Sequence, residues 1–244
     1  MSRLSFGLLG SGEFEPWAER VDRWLLERSS GNGKRVLVLP TASAPEGDGV
    51  FDRWAGLGMS HYGRMGVEAE VLPLKTEEDA NSLDLVRRLD DASMVFFSGG
   101  NPAYLSRVLN RSAFWLALLD AMDRGLAYGG CSAGISCLGE IAPDSAIRDF
   151  GSNDFLQTGL GLFPKTHLGP HWNALDAFAP GLKDLIESMV PSDSRLLAVD
   201  ERTAVVGDGT EWNVLGSGGA HLLEKGAWRT FSGGESFAAA LIDG

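Results

Sequence analysis

The chain has 244 residues, 44% of them hydrophobic, and a formal net charge of −12. This composition is sufficient to bury a sizeable core, and the acidic balance argues against nucleic acid or an anionic membrane as a partner. Residues 1–10 lack the basic start and long apolar stretch of a secretory leader, and no apolar run approaches the roughly 18 residues of a membrane span. Two cysteines, Cys131 and Cys137, do not make a disulfide framework, so we expect a cytoplasmic protein.

The first half of the chain alternates short apolar runs with amphipathic segments. The apolar runs predict strands at 4–9, 35–39, 69–74, 94–97 and 126–129. Helical spacing of apolar residues predicts helices at 17–27, 50–65, 82–89, 103–109 and 113–122, and a further helix from Ala133. Strand–helix alternation at this spacing indicates a parallel sheet with helices on both faces.

The second half of the chain changes character. Residues 147–158 are polar and patternless, which predicts a surface loop, and 175–189 predict one helix. Closely spaced apolar runs then predict antiparallel hairpins on the edge of the sheet, at 196–199, 204–206, 212–215, 221–223 and near Trp228. Because no repeat, low-complexity tract or linker interrupts the chain, we predict one domain over 1–244. Its predicted architecture is a three-layer, flavodoxin-like α/β fold with a mostly parallel central sheet and antiparallel hairpins toward the C-terminus.

A candidate nucleophile lies where a predicted strand meets a helix. Gly-Cys-Ser-Ala-Gly at 130–134 matches Gly-X-Ser-X-Gly, and an apolar strand precedes it. This is the context of a nucleophile elbow, in which small neighbours permit a sharp turn and the serine hydroxyl projects at the carboxyl edge of the sheet. We therefore predict Ser132 as the nucleophile, with a glycine-rich turn around a structural serine as the alternative.

A second glycine-rich turn is predicted at the same edge of the sheet. Ser-Gly-Gly-Asn at 98–101 ends the strand predicted at 94–97. The N–H groups of Gly99 and Gly100 could meet that of Ala133 around a substrate carbonyl and form an oxyanion hole, whereas an ordinary turn is the alternative. The glycines at 7–12 do not follow the Gly-X-Gly-X-X-Gly order, so we interpret them as a strand-to-helix turn rather than a nucleotide site.

A serine nucleophile needs a base, usually histidine, and the chain has four histidines. His61 lies on a predicted helix and is interpreted as structural, and His221 lies in a predicted strand. His171, in a loop before a predicted helix, is our candidate base. His167 stands four residues before it, but the intervening Gly-Pro pair breaks the helix that would present both rings to one metal ion. We therefore expect no metal and no other cofactor.

Composition alone leaves the acid that orients the base open, because the chain has 33 acidic residues. Glu201 follows the strand predicted at 196–199, which favours it. Its rivals are Asp149, Asp154, Asp176 and Asp200.

Five motifs occur in a fixed order along the chain. They are Phe-Ser-Gly-Gly-Asn at 97–101, Gly-Cys-Ser-Ala-Gly at 130–134, Gly-Leu-Gly-Leu at 159–162, His-Trp at 171–172 and Asp-Glu-Arg-Thr-Ala at 200–204. Over about residues 8–224 the chain resembles the dipeptidase E and cyanophycinase family of serine peptidases. The resemblance implies the class I glutamine amidotransferase-like fold. It also implies a Ser132–His171 pair with Glu201 as third member, and an oxyanion hole from Gly99 or Gly100 with Ala133.

The resemblance leaves the third member and the substrate open. Some family members use an Asp shortly after the serine, so Asp144, Asp149 and Asp154 stay alternatives to Glu201. The chain has Asn101-Pro102 where cyanophycinases have Asp-Gln and dipeptidase E-type members have Asn-Thr, and we assign Asn101 to substrate binding. Family members often recognise an acidic residue or its β-linked derivative, which implies an arginine near the nucleophile. The candidates are Arg148, Arg195 and Arg202.

We therefore predict a serine hydrolase, a peptidase acting on short peptides, isopeptides or small amides, with a homodimer as a candidate assembly. An esterase or amidase is one alternative, and an α/β-hydrolase order of Ser132, Asp200 and His221 would suit it. An amidotransferase-like protein without peptidase activity is another, but glutamine amidotransferases use a cysteine at the elbow. Cys131 precedes that position by one residue, and we expect it to pack beneath the turn. A non-catalytic binding module is the third alternative.

Overall fold

The computed structural model describes residues 4–30 and 35–242. The strands are β1 Phe6–Leu9, β2 Arg35–Leu39, β3 Glu68–Val71, β4 Ala92–Phe97, β5 Ala127–Cys131, β6 Ile141–Pro143, β7 Leu156–Thr158, β8 Thr166–Gly169, β9 Arg195–Val199, β10 Thr203–Gly207, β11 Glu211–Gly216, β12 Gly219–Glu224, β13 Ala227–Ser232 and β14 Ser236–Ala238. The α-helices are α1 Glu19–Arg28, α2 Asp48–Arg64, α3 Leu83–Arg87, α4 Pro102–Leu109, α5 Ala113–Asp123, α6 Ala133–Ser136, α7 Leu175–Phe178 and α8 Leu182–Met189. Residues 1–3, 31–34 and 243–244 lie outside the described residues. The domain predicted over 1–244 includes all of them, and the leader expectation for 1–10 includes residues 1–3.

The central sheet has eight strands in the order β14-β11-β10-β1-β5-β4-β2-β3. Strands β1 to β5 run parallel, whereas β10, β11 and β14 pair antiparallel. Alternate residues of β4 enter different cores: Val95 and Phe97 join one cluster, and Met94 and Phe96 the other. Since successive strand residues point to opposite faces, the sheet has a core on each side. Helices α4 and α5 pack on one face and α1 and α2 on the other, which confirms the predicted α/β architecture.

A second, four-stranded sheet has the order β13-β12-β9-β8. Our prediction that all the late hairpins extend the central sheet was therefore wrong. Only β10, β11 and β14 do so, while β12 leaves β11 through a glycine-rich turn and pairs with β9. The left-handed backbone of Gly216 (φ 119°) opens that turn. Leu197 and Val199 of β9 face the main core, and Leu196 and Ala198 face a third cluster under α7 and α8.

Two predicted segments differ from the structure. The helix predicted at 175–189 is divided into α7 and α8, because Pro180 cannot continue a helix and Gly181 is left-handed (φ 79°). The loop predicted at 147–158 ends in β7, which pairs with β6. No helix in the described ranges combines the length and apolarity needed to cross a bilayer.

One buried carboxylate joins α1 to α2. Asp22 accepts hydrogen bonds from the ring Nε2 of His61 at 2.7 Å and from the hydroxyl of Tyr62 at 3.1 Å, and all three side chains are buried. Burial raises the pKa of Asp22, against the opposing effect of His61. His61 therefore has the structural role that we predicted.

We expect Asp22→Ala to lower the free energy of unfolding by about 3 kcal/mol, because it leaves two buried polar groups without their acceptor. Urea denaturation followed by circular dichroism measures the change. Glu19→Ala is the matched control on the same helix. The pair that it removes with Arg23 is exposed, so the change should cost less than about 0.5 kcal/mol. An Asp22→Ala loss as small as the control's would contradict this account of the α1–α2 contact.

Candidate active site

The backbone at Ser132 is strained. Ser132 follows β5 directly and begins α6 with φ 52° and ψ −107°, a conformation that non-glycine residues rarely adopt. Gly130 and Gly134, two residues to either side, permit the close backbone packing that holds this conformation. A Cβ atom at Gly130 would lie 2.4 Å from the carbonyl oxygen of Gly134, and one at Gly134 would lie 2.3 Å from that of Phe97. This is the geometry of the predicted elbow.

The structure brings the three residues predicted for the triad together. The Nε2 atom of His171 lies 2.9 Å from the Oγ of Ser132, and its Nδ1 lies 3.2 Å from the Oε1 of Glu201. His171 follows β8 in a left-handed conformation (φ 55°), and Phe178 packs its ring edgewise at 5.8 Å from the imidazole. With the proton on Nδ1, the ring donates to Glu201 and accepts from the Ser132 hydroxyl.

The loop that carries Glu201 is held by two neighbouring loops. The Glu201 N–H donates to the side-chain oxygen of Asn173 at 2.9 Å, and the Arg202 N–H donates to the Oγ of Ser11 at 3.0 Å. Sequence reasoning did not single out either partner, because nothing near them in the chain indicates that β1, β8 and β9 end at one place. The carboxylate itself is 44% exposed at its side chain.

The alternative acids have other partners. The Oδ1 of Asp144 accepts from the side-chain amide of Asn101 at 2.7 Å and from the N–H of Ala146 at 2.9 Å. Asp149 accepts from the N–H of Gly151. Among the described residues, the carboxylate that bonds His171 is that of Glu201.

Asp200 and His221 form a separate pair. The Nε2 of His221 lies 3.2 Å from the Oδ1 of Asp200, and its Nδ1 lies 3.0 Å from the Oγ1 of Thr230. Since the histidine that bonds Ser132 is His171, this arrangement does not support the α/β-hydrolase order.

Gly99 does not have a free N–H, which corrects part of the predicted oxyanion hole. It donates to the buried Oε1 of Glu13 at 2.9 Å. The other oxygen of Glu13 accepts from the Sγ–H of Cys131 at 2.9 Å. Gly100 (φ 146°) lines the cavity beside Ser132, and Ala133 is the first residue of α6, whose N–H has no partner within the helix. The N–H groups of Gly100 and Ala133 stay the predicted donors for an oxyanion.

Asn101 is also placed differently from our prediction. Its side-chain oxygen caps α4 by accepting from the N–H of Tyr104 at 3.1 Å, and its amide donates to Asp144. Asparagine before a proline at the first helical position is a favourable helix start. Because both ends of the amide are engaged, the structure assigns Asn101 to capping rather than to a substrate.

The three candidate arginines lie in different surroundings. Arg195 donates to the carbonyl of Ala240 at 2.6 Å and pairs with Glu224, and Arg202 pairs with Glu15 at 3.0 Å. Arg148 is the one of the three that lines the cavity beside Ser132.

The cavity has a volume of about 330 Å³ and extends from Ser132 and His171 toward α7 and α8. His167, within β8, also lines it, and burial lowers the pKa of its ring. The rings of His167 and His171 therefore lie on a strand and a loop, not on one helix. Within residues 4–30 and 35–242, no group of three or more His, Cys, Asp or Glu side chains is arranged to hold a metal ion.

Ser132 follows β5 of the mostly parallel central sheet, whereas His171 and Glu201 follow β8 and β9 of the second sheet. A serine, a histidine and a carboxylate in hydrogen-bonded order beside the carboxyl edge of a parallel sheet are typical of an α/β serine hydrolase. The model of peptidase family S51 matches residues 6–215 of the chain. The chain therefore belongs to peptidase family S51, which confirms the resemblance noted in its motifs.

Three relatives place the chain within this family. A crystal structure of a peptidase from an acI-B1 Actinobacterium superposes with a TM-score of 0.86 at 30% identity, covering 98% of this chain and 99% of that one. The cyanophycinase of Synechococcus elongatus is 26% identical over 228 residues, which cover 88% of this chain and 66% of the relative. The cyanophycinase of Nostoc sp. is 24% identical over 230 residues, covering 89% and 72%. The chain thus spans slightly less than two thirds of the Synechococcus protein.

Packing around the elbow leads to a test of its glycines. We expect Gly134→Ala to lower the free energy of unfolding by about 1–3 kcal/mol, because the new methyl group would overlap the carbonyl of Phe97. Any hydrolysis should also fall, since α6 positions both Ser132 and the Ala133 N–H. Gly56→Ala in the exposed interior of α2 is the matched control: nothing lies within 4 Å of its added methyl group. It should raise stability by about 0.5–1 kcal/mol. Thermal and urea unfolding of the two variants measure both effects, and an equal response would contradict the close approach.

Proposed function

We propose that the protein is a serine peptidase that hydrolyses short peptides, isopeptides or small amides through Ser132, His171 and Glu201. The observation that carries this proposal is the unbroken hydrogen-bonded series from the Ser132 hydroxyl through the His171 ring to the Glu201 carboxylate. Two further observations support it: Ser132 lies on a strained elbow, and the chain belongs to peptidase family S51.

In the proposed mechanism, the Ser132 Oγ attacks the scissile carbonyl carbon while its proton passes to the Nε2 of His171. The carbonyl oxygen becomes an oxyanion and accepts hydrogen bonds from the N–H groups of Gly100 and Ala133. His171 then gives its proton to the leaving amine, and the C–N bond breaks to leave an acyl ester on Ser132. Water attacks this ester with His171 again as base, which releases the acid and restores the hydroxyl.

Glu201 acts through the ring rather than on the substrate. Its carboxylate accepts from Nδ1, which fixes the tautomer that leaves Nε2 free to take the serine proton. It also stabilises the imidazolium that forms during attack. The exposure of Glu201 weakens this stabilisation compared with a buried carboxylate, because water screens the pair.

The substrate is proposed to be short because the cavity is small. About 330 Å³ lies at the lower end of small-molecule binding sites, so it accommodates few side chains beside the scissile bond. Two of the relatives are cyanophycinases and one is a peptidase, which supports an amide bond as the proposed point of cleavage.

A cysteine-dependent amidotransferase is the less favoured alternative. Cys131 is fully buried, its thiol donates to Glu13, and burial together with that carboxylate raises the pKa of the thiol well above its usual range. A thiol held protonated in this way is a poor nucleophile. The expectations of a cytoplasmic location, a homodimer, no cofactor, and no nucleic acid or membrane as partner stay proposals.

The proposed function is tested by product analysis. Purified protein is incubated with a panel of dipeptides, β-aspartyl dipeptides and a long unfolded protein, with and without EDTA, and the products are identified by mass spectrometry. We expect cleavage of short substrates, little cleavage within the long chain and no effect of EDTA. Efficient internal cleavage of the long chain, or activity lost to EDTA and restored by zinc, would contradict the proposal.

A further inference from the structure

The cavity beside Ser132 is lined mainly by apolar side chains from four parts of the chain. Its walls come from the β6–β7 region, from the loop before β7, from β8 and β9, and from α7 and α8. Representative contributors are Ile141, Phe155, Leu168, Ile186 and Leu196. Such a wall gains free energy when an apolar ligand displaces water from it, at roughly 25 cal/mol per Å² of apolar surface buried.

Helix α8 shows how the chain presents this surface. Leu182, Ile186 and Met189 recur at the spacing of one helical face, and all three line the cavity. Ile186 and Met189 are only partly buried, although they lie on the apolar face of the helix. Ile186 also packs against the third cluster, so the helix divides its apolar face between that cluster and the open cavity.

The aromatic ring of Phe178 extends the same surface to the catalytic histidine. Phe178 is 64% exposed, lines the cavity and contacts His171. Because this exposed ring is continuous with the apolar cavity wall, it enlarges the apolar patch that a ligand can contact.

Fixed charge is scarce on the cavity wall. Among the described lining residues, Arg148 alone has a fixed charge, and its side chain is exposed with no ion pair to a described residue. His167 is buried, and burial lowers the pKa of its ring, which favours the neutral form. A carboxylate placed deep in this cavity would lose its hydration without gaining a buried cation.

We propose that this cavity recognises a large aliphatic or aromatic side chain on one of the two residues flanking the scissile bond, instead of an acidic side chain. The inference rests on the proposed function, because it assigns the cavity to the substrate of Ser132. It replaces our expectation of an arginine-based acid site with a specificity pocket built by β6–β8, α7 and α8.

Binding to the inactive Ser132→Ala variant tests the proposal without requiring turnover. Isothermal titration calorimetry compares Leu-Ala with Asp-Ala and Ala-Leu with Ala-Asp, so that each pair differs at one position. We expect the leucine member to bind at least about ten-fold more tightly in one of the pairs, since apolar pockets discriminate by this order. Equal binding within both pairs, including no binding of any peptide, would overturn the proposal. So would tighter binding of an aspartyl member, in particular if Arg148→Ala abolished it.

A second variant connects the preference to the cavity. Ile186→Trp in the Ser132→Ala background should reduce affinity for the preferred leucine peptide at least about ten-fold by filling the pocket. Leu116→Trp is the control, because Leu116 is an exposed apolar residue on α5 outside the cavity. Thermal unfolding verifies that both variants fold. Equal affinities in the two variants would overturn the assignment of the preference to this cavity.

The two proposals fail in different ways. Wild-type protein that neither hydrolyses any substrate nor reacts with a fluorophosphonate probe would refute the proposed function, whatever the peptides bind. Wild-type protein that hydrolyses aspartyl substrates in preference to leucyl ones, through Ser132, would keep the function and overturn the apolar specificity.

Discussion

Ser132→Ala is expected to lower kcat/KM for a dipeptide substrate by about 10⁴-fold or more while leaving the fold unchanged. The Oγ atom of Ser132 forms the covalent bond to the substrate, and His171 and Glu201 have no other group to activate. Removal of this one oxygen therefore disables all three catalytic residues. Steady-state kinetics measure the loss, and circular dichroism with thermal unfolding verifies the fold.

Ser188→Ala is the control for this experiment. Ser188 is an exposed serine of α8 whose hydroxyl donates to the carbonyl of Leu185, and it does not line the cavity. Its rate should change by less than about three-fold. If Ser132→Ala retained near-normal turnover, Ser132 would not be the nucleophile.

Glu201→Gln is expected to lower kcat/KM by about 10²–10³-fold. Glutamine preserves the shape of the side chain but lacks the charge that stabilises the His171 imidazolium. The comparable change in a serine protease with a buried aspartate costs about 10⁴, and we expect less here because Glu201 is 44% exposed at its side chain and lies 3.2 Å from Nδ1. KM should change little, since Glu201 is not expected to touch the substrate.

Asp144→Asn, Asp149→Asn and Asp154→Asn are the controls for Glu201. The bonds made by Asp144 run to Asn101 and Ala146, so its substitution should change turnover by less than about ten-fold. A Glu201→Gln variant with normal turnover beside an inactive Asp144→Asn variant would show that the third member had been misassigned. The roles of Ser132 and His171 would be unaffected.

Much of the site could be predicted because its residues stand at the ends of strands. Five of the predicted apolar runs form the parallel strands of the central sheet, and these deliver the loops that carry Gly99 and Ser132 to one edge. His171 and Glu201 follow β8 and β9, which pair parallel in the second sheet. The elbow was recognisable since Gly130 and Gly134 are required by close contacts within a few residues of Ser132. A local motif of this kind is visible in the sequence without knowledge of the rest of the fold.

The parts that could not be predicted depend on pairing across the chain. The separation of β12 from the central sheet is decided by its pairing with β9, and both strands have the same local pattern as the true edge hairpins. Glu13 gave no signal, because its burial under Gly99 and Cys131 arises only when β1, β4 and β5 are adjacent. The sequence at Asn101 did contain a signal, because asparagine followed by proline marks a helix start. We gave more weight to its position in the Phe-Ser-Gly-Gly-Asn motif at 97–101.

Ser132 is proposed to be the activated side chain of this protein. Mass spectrometric mapping after reaction with a fluorophosphonate tests it most directly, with the His171→Ala variant treated in parallel. We expect one adduct on Ser132 in the wild-type protein and a strongly reduced rate of labelling in the variant. Failure of the wild-type protein to react, or an adduct on Cys131 or on another serine, would contradict it.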